Sequence, residues 1–186
     1  MTQGRYGAWT GLRLAMVVGP AGQTLGPDGT SHSLSNPEDR HELMALRALA
    51  DLIVTDASTA ERENYRQSKL APLQVWSRHP GTISWKPIQV EGGLALTLVD
   101  SSDLDSAVAS LAGSNVLLET GPTLSALLLP WISSLAITVA SHDSDDRTEA
   151  LNALLRKMGA EPSQWQITWI SGQVNSYALV SRRGSL

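Results

Sequence analysis

Two short turns hold the residues that are best placed to do chemistry in this sequence. Each turn follows a short apolar run typical of a strand buried on both faces, and each opens a helical pattern. The turns consist of Asp56, Ala57, Ser58 and Thr59, and of Glu119, Thr120, Gly121, Pro122 and Thr123. Pro122 suits a first helical position, because its fixed φ fits the helix and its missing N–H would have no partner there.

Strand–turn–helix units of this kind can bind anions, because the N–H groups and the positive dipole end of the helix point beyond the strand. Ligands of open α/β sheets lie beyond the carboxyl ends of the parallel strands, so we expect both turns to share one cleft. Two helix N-termini in one cleft suit the phosphates of a dinucleotide, while two ordinary helix caps explain the same residues equally well. Glu119 is either a paired structural acid or a group that faces the cleft.

Other reactive residue types give weaker signals. The four histidines lack metal-ligand spacing and the chain has no cysteine, so we expect neither a metal site nor a cysteine nucleophile. No serine lies in a nucleophile elbow, so hydrolase chemistry is not indicated. The residue types alone assign no catalytic residue.

Composition narrows the class of partner. The chain has 186 residues, a net charge of -4 and a pI near 5.5, which gives no electrostatic argument for binding nucleic acid or an anionic membrane. The N-terminus lacks an apolar signal core, and the apolar stretch Leu124–Ile132 is too short to span a bilayer. We therefore expect a soluble, cytoplasmic protein that acts on a small molecule.

The order of apolar patterns predicts an α/β fold. Helical patterns alternate with buried strands, which requires parallel neighbours, and the chain ends in a strand pair joined by a short turn. We expect a three-layer α-β-α domain with a central mixed, mostly parallel sheet and a C-terminal antiparallel hairpin. The whole chain, residues 1–186, reads as a single domain in which residues 1–11 form a flexible arm and Gly19–Ser35 a long loop. The expected strands are Leu12–Val18, Leu52–Thr55, Pro72–Ser77, Ala95–Val99, Val116–Leu118, Leu135–Ala140, Trp165–Trp169 and Val174–Ser181.

Three blocks of sequence carry a resemblance to a known family. They are Asp28-Gly29-Thr30-Ser31 with Leu34-Ser35 and Asp39-Arg40; Ala45 to Asp51, leading to Thr59 and Glu63; and Val116 to Leu124. Their order and spacing resemble the reductase domain of bacterial riboflavin-biosynthesis proteins, the pyrimidine reductase family with a dihydrofolate-reductase-like fold. The resemblance covers roughly residues 12–140.

The resemblance implies an NADPH-dependent reductase that acts on a ribosylamino-pyrimidine phosphate without a metal. NADPH would lie across the carboxyl ends of the strands, at the turns Asp56–Thr59 and Glu119–Thr123. The substrate side would be formed by Asp28, Ser31, Leu34 and Arg40. A homodimer paired through an exposed strand edge is a reasonable expectation for this fold.

The sequence also departs from the family around this cleft. Ala21 stands where the family has an aspartate after the first strand, and Asp56 stands in the glycine-rich turn, where its charge would face phosphates. Thr120 replaces the first of two paired glycines, and Ser133-Ser134 replace an acidic pair. Three hypotheses remain: a reductase with an altered substrate, a catalytically inactive homologue that binds a nucleotide or a protein, and a binder of a flavin or another nucleotide.

Overall fold

The computed structural model describes residues 5–83, 86, 88–141 and 143–183. Within this part of the chain, the strands are β1 (Leu12–Val18), β2 (Leu52–Asp56), β3 (Leu73–Ser77), β4 (Leu96–Asp100), β5 (Val116–Leu118), β6 (Ile132–Val139), β7 (Trp165–Ser171) and β8 (Ser176–Arg182). The α-helices are α1 (Pro37–Leu49), α2 (Ala57–Arg62), α3 (Leu104–Ala109), α4 (Pro122–Leu128) and α5 (Ser144–Lys157).

The strands form one mixed sheet in the order β4-β3-β2-β5-β1-β6-β8-β7. Strands β1 to β6 pair in parallel, whereas β8 runs antiparallel to both β6 and β7. This confirms the predicted mixed, mostly parallel sheet with a terminal antiparallel hairpin. Leu14 of β1 lies in register with Leu118 of β5 and Leu135 of β6, so the carboxyl ends of the central strands lie at one edge.

Helices cover both faces of the sheet. On one face, Leu46 of α1 and Ala60 of α2 pack with the alternate strand residues Ile53 and Leu117. On the other, α3, α4 and α5 pack over Val54, Leu118 and their neighbours. The chain thus has the predicted three layers, because successive residues of a buried strand point to opposite faces and both faces are apolar here.

The segment before β1 corrects one prediction. Residues 5–11 are not a flexible arm: Tyr6 is 4% exposed and Trp9 8% exposed. The Arg13 guanidinium donates to the backbone oxygens of Tyr6 and Gly7 and to Ser134 Oγ, and it lies 4.7 Å from the centre of the Trp9 ring. A buried guanidinium needs acceptors, and this segment supplies two of them. Residues 1–4, the rest of the predicted arm, lie outside the described residues.

None of the helices in the described ranges is both long enough and apolar enough to cross a membrane.

Arg13 is expected to hold residues 5–11 in place. Arg13→Met removes a charge-assisted network and leaves Ser134 and two carbonyls without their donor, so we expect a loss of about 2–3 kcal/mol in the free energy of unfolding. Urea unfolding measures this loss, and hydrogen exchange should show faster exchange in residues 5–11. The exposed Arg156→Met in α5 is the control and should change stability by less than about 0.5 kcal/mol. Unchanged exchange in residues 5–11 would contradict this role for Arg13.

Candidate functional site

A cavity of about 140 Å³ lies at the edge of the sheet where β1, β2 and β5 end. Its floor is formed by Ala15 to Val17 of β1 and by Ala136 and Thr138 of β6. Its walls come from α1, α2 and the segment Glu119 to Pro122. The cavity therefore lies where the sequence predicts the cleft, next to both turns.

One carboxylate joins the two turns. Asp56 Oδ1 accepts hydrogen bonds from the Thr59 N–H at 2.8 Å and from Ser58 Oγ at 2.5 Å. Asp56 Oδ2 accepts from Thr59 Oγ1 at 2.8 Å and from the Gly121 N–H at 2.7 Å. Asp56 is thus the N-cap of α2 and at the same time the acceptor for the turn that opens α4. The two predicted turns do meet, and they meet through this side chain.

Asp56 is charged at neutral pH. Burial opposes its ionisation, but hydrogen bonds from Ser58, Gly121 and Thr59 outweigh burial and hold the pKa of Asp56 below its ordinary value of 3.8. An internal anion therefore occupies N–H groups of both turns, which is the position in which the sequence predicts a ligand phosphate.

The backbone at Gly121 has little room for a side chain. A Cβ at this position would lie 3.1 Å from Thr59 Oγ1 and 3.5 Å from Asp56 Oδ2. The added side chain of Thr120 is turned inward, where its Oγ1 lies 2.8 Å from Ser125 Oγ in a hydrogen bond. Thr120 therefore leaves the close contact between the two turns intact.

Glu119 is both paired and part of the cavity wall, so the two alternatives that the sequence leaves open hold together. Arg47 Nε and Nη2 bond its carboxylate at 2.7 and 2.5 Å, and the Tyr65 hydroxyl donates to it at 2.6 Å. Burial raises the pKa of Tyr65 and the negative charge of Glu119 raises it further, so Tyr65 remains a donor. For Arg47, the same carboxylate outweighs burial and keeps the pKa of the guanidinium above its ordinary value.

The predicted site residues fall into two groups. Those that line the cavity are Ser31, Thr59, Glu119, Thr120, Gly121 and Pro122. Those that do not line it are Asp28, Leu34, Arg40, Asp56, Ala57, Ser58 and Thr123. Asp56, Ala57 and Ser58 belong to the β2–α2 turn, with Asp56 bridging to the second turn, while Thr123 lies in the first turn of α4.

Of the residues predicted for the substrate side, Asp28 and Arg40 are exposed, and Ser31 and Leu34 are half-buried. Asp28 accepts from Thr30 and Ser33 within its own loop, and these hydrogen bonds lower the pKa of Asp28 to about 2. It is therefore an acceptor rather than an acid. Arg40 lies on the exposed side of α1, with Nη2 3.3 Å from His32 Nε2.

Several residues of the cavity wall were missed from the sequence. They are Tyr6, Asp39, Glu42, Arg62, Glu63 and Tyr65. Asp39 and Glu42 carry a usable signal, because they share a helix face with the apolar Leu43 and Leu46 at i, i+3 and i+4 spacing. Tyr6 had no signal, since it lies between Arg5 and Gly7 in a segment without periodicity.

Comparison with known proteins rests on structure alone, because no family model matches the chain and no curated protein is similar to it. A pyrimidine reductase-like protein from Corynebacterium diphtheriae superposes with a TM-score of 0.62 at 14% identity, over 92% of this chain and 91% of that one. The riboflavin biosynthesis reductase of Saccharomyces cerevisiae gives a TM-score of 0.60 at 15% identity, over 92% of this chain and 89% of that one. The chain has the fold of the riboflavin-biosynthesis pyrimidine reductases.

Two further structures fit this reductase-like fold. Dihydrofolate reductase from Enterococcus faecalis, solved as a complex with NADP(H), gives a TM-score of 0.61 at 10% identity, over 92% of this chain and 96% of that one. A Thermotoga maritima protein that is both a deaminase and a 5-amino-6-(5-phosphoribosylamino)uracil reductase superposes with a TM-score of 0.62 at 11% identity. The match spans 92% of this chain but only 56% of the Thermotoga chain. These structures confirm the resemblance that the sequence indicates. Their low sequence identities show that the resemblance is divergent and lies in the fold.

The charge of Asp56 is expected to set part of the stability of the site. Asp56→Asn keeps the size of the side chain but cannot accept from Gly121 and Thr59 as the carboxylate does, so we expect a loss of about 1–3 kcal/mol in the free energy of unfolding at pH 7. Because the pKa of Asp56 is lowered in the folded state, this contribution is present above its ordinary pKa of 3.8 and is lost as pH falls below it.

Urea unfolding of wild type and Asp56→Asn between pH 7 and pH 3 measures this. The difference between the two proteins should be constant from pH 7 to about pH 5 and should shrink below about pH 4. A difference that does not change with pH would mean that the charge of Asp56 contributes nothing.

Proposed function

We propose that this chain is an NADPH-dependent reductase of the riboflavin-pathway pyrimidine reductase type, similar to the 5-amino-6-(5-phosphoribosylamino)uracil reductases, with an altered substrate. The observation that supports the proposal most is the cavity at the carboxyl ends of β1, β2 and β5, bounded by both strand–helix turns. This is the position at which open α/β sheets bind nucleotides.

The residues present fit NADPH in one part of the cleft and oppose it in another. The cavity has an apolar floor at Ala15, Met16 and Val17, suited to a planar ring. The first turn of α4 has no side-chain cap of its own, and because Pro122 lacks an N–H and Gly121 is bonded to Asp56, the Thr123 N–H would face the phosphates. Asp56 opposes the phosphates, because it already accepts the Gly121 N–H and carries a negative charge.

NADPH when bound would supply the hydride, and the chain would supply position and a dry environment. Glu119 is held by Arg47 and Tyr65, so its charge is balanced without a ligand. The substrate would enter from the side of Ser31 and α1, which complete the cavity.

The edge strands of the sheet indicate how two copies of this chain would pair. Residues 1–186 would act as one domain. In the described sheet, β4 and β7 each have one neighbour, so either edge offers unpaired backbone groups to a second copy. We propose a homodimer on that ground, with a small nucleotide-like molecule as substrate.

A second candidate function is favoured by Asp56 itself. With the Gly121 N–H taken by an internal carboxylate, the chain can keep its fold and its cavity without a dinucleotide. Ala21, at the position of the aspartate that the family carries, is exposed and does not line the cavity. The alternative is therefore a catalytically inactive homologue that binds a nucleotide-like ligand or a protein.

Titration with NADPH and with NADH, followed by nicotinamide fluorescence, tests the proposal. Wild type should bind NADPH saturably and more tightly than NADH. Asp56→Gly should bind NADPH about tenfold more tightly, because it frees the Gly121 N–H and removes a like charge, while glycine is a tolerated N-cap. Asp103→Gly is the matched control, since Asp103 caps the equally short α3 through Ser106 in the same way, outside the cavity. It should leave NADPH affinity unchanged.

The outcomes separate the two candidates. Saturable binding by wild type, followed by NADPH oxidation with a pyrimidine substrate, supports the reductase. Binding by Asp56→Gly alone supports the inactive homologue. Absence of binding by both proteins at millimolar NADPH overturns the reductase proposal.

A further inference from the structure

A second cavity, of about 270 Å³, lies at the other end of the parallel strands. Arg182, the last residue of β8, lines it, and the preceding Ser181 lies in register with Ser134 near the start of β6. Because β6 runs parallel to β1, this start lies at the edge of the sheet away from the carboxyl ends that form the cleft. In the described chain, the two cavities share no lining residue.

The second cavity is positively charged. Arg182 and Arg183 both line it, whereas no Asp or Glu of the described chain does. Neither arginine forms a salt bridge with a described residue. Both side chains are exposed, so a ligand can reach them from solution. Two guanidinium groups without a carboxylate partner at one cavity favour an anion as its ligand.

The two arginines are adjacent in the sequence, yet they line the same cavity. Successive residues of a strand point to opposite faces, so two adjacent strand residues do not normally meet at one site. Here β8 ends at Arg182, and Arg183 Nε donates to the backbone oxygen of Trp165 at 3.2 Å. Arg182 Nη2 donates to the backbone oxygen of Leu129 at 2.7 Å, and its guanidinium carbon lies 5.2 Å from the centre of the Trp165 ring. The protein itself therefore brings both side chains to the cavity.

Each guanidinium keeps donors for a ligand. A guanidinium has five N–H donors, and the described chain uses one of them on Arg182 and one on Arg183. The remaining donors form a planar fork that matches two oxygens of a phosphate or a carboxylate. Two forks with two positive charges match a dianion better than a monoanion, and a phosphomonoester is largely dianionic at pH 7.

The carbonyl ends of two helices oppose an anion here. Leu129 and Gly159, which follow α4 and α5, line the cavity. A helix end is equivalent to about half a negative charge, whereas each arginine carries a full positive charge. Arg182 already binds the oxygen of Leu129, and Arg156 and Lys157 in the last turn of α5 add further positive charge. The cavity therefore stays positive in spite of the helix ends.

We propose that Arg182 and Arg183 form a second ligand site, which binds the phosphate group of a small phosphomonoester. The cavity has room for a phosphate group and part of the molecule that carries it. Ala160 and Trp165, which are 4% and 3% exposed, form an apolar part of the lining against which that molecule would pack. The site lies outside the cleft, so the inference does not depend on the proposed reductase activity.

Calorimetric titration with methyl phosphate and with methyl sulfate at pH 7.5 and constant ionic strength tests the inference. The two probes have nearly the same shape, but methyl phosphate is a dianion at this pH and methyl sulfate a monoanion. Wild type should bind methyl phosphate saturably and at least tenfold more tightly than methyl sulfate. Ribose 5-phosphate should compete with methyl phosphate, and ribose should not. Absence of saturable binding at about 10 mM methyl phosphate, or equal affinity for both probes, would overturn the inference.

Two variants and a matched control locate the site. Arg183→Gln removes one fork and leaves the bond between Arg182 and Leu129 in place, so it is expected to fold and to bind methyl phosphate at least fivefold more weakly. Arg182→Lys keeps the charge but not the fork, and it should weaken binding at least threefold. Arg156→Gln removes the same charge from an exposed residue that does not line the cavity, so it should bind within about twofold of wild type. Equal losses in Arg183→Gln and Arg156→Gln would show a general effect of charge and overturn the inference.

Arg62→Gln separates the second cavity from the cleft. Arg62 is the only Lys or Arg among the described residues that line the first cavity, so a phosphate bound there would depend on it. We expect Arg62→Gln to bind methyl phosphate as wild type does. Weaker binding by Arg62→Gln, together with unchanged binding by Arg183→Gln, would place the phosphate in the cleft and contradict the proposal.

Sedimentation with vesicles separates a small ester from a lipid headgroup. Vesicles of phosphatidylcholine with phosphatidic acid, whose headgroup is a phosphomonoester, should leave wild type in the supernatant. Sedimentation of wild type that Arg183→Gln abolishes would assign the site to a lipid headgroup and overturn the small-molecule ligand.

Discussion

The carboxylate of Asp56 is the interaction on which the geometry of the cleft depends. It bonds the first turn of α2 and, 65 residues further along the chain, the N–H of Gly121. Without it, the β2–α2 and β5–α4 turns would be related only through their strands. With it, the backbone of one turn is held against the side chains of the other, which fixes one wall of the cavity before any ligand arrives.

The same carboxylate that orders the cleft also narrows what the cleft can bind. Helix N-termini favour any anion, whether it belongs to the chain or to a ligand. An aspartate in this position stabilises the folded protein at neutral pH, because its hydrogen bonds outweigh its burial. It also competes directly with a ligand phosphate for the Gly121 N–H. Stability and anion binding are therefore opposed at one residue, a conflict common at binding sites.

The sequence predicts the layers and the position of the cleft because both follow from local patterns. Continuous apolar runs such as Val116–Leu118 indicate strands buried on both faces, and parallel strands bring their following turns to one edge. The contact between the two turns joins residues that are far apart in the sequence, so local patterns do not predict it. The charge of Asp56 predicts repulsion of phosphates, but only the structure shows that Gly121 and Thr59 supply donors to it. The prediction of a flexible arm is wrong for residues 5–11 for the same reason. Arg13 needs hydrogen-bond acceptors, but nothing in the sequence of residues 5–11 shows that this segment provides them.

The acids of the cavity show how the chain can set specificity through residues outside the site. Glu42 and Glu119 point at the same space as Asp39, yet Arg5 and Arg47 neutralise them from segments that precede β1 and end α1. Asp39 has no such cation in the described chain, so it carries the negative charge that a ligand would meet at the α1 wall. Since a buried charge is stabilised mainly by what bonds it, the two arginines leave Asp39 and Glu63 as the cavity acids that have no salt bridge in the described chain. A third arginine opposite Asp39 would make the same cavity neutral at that wall without changing a single cavity-lining acid.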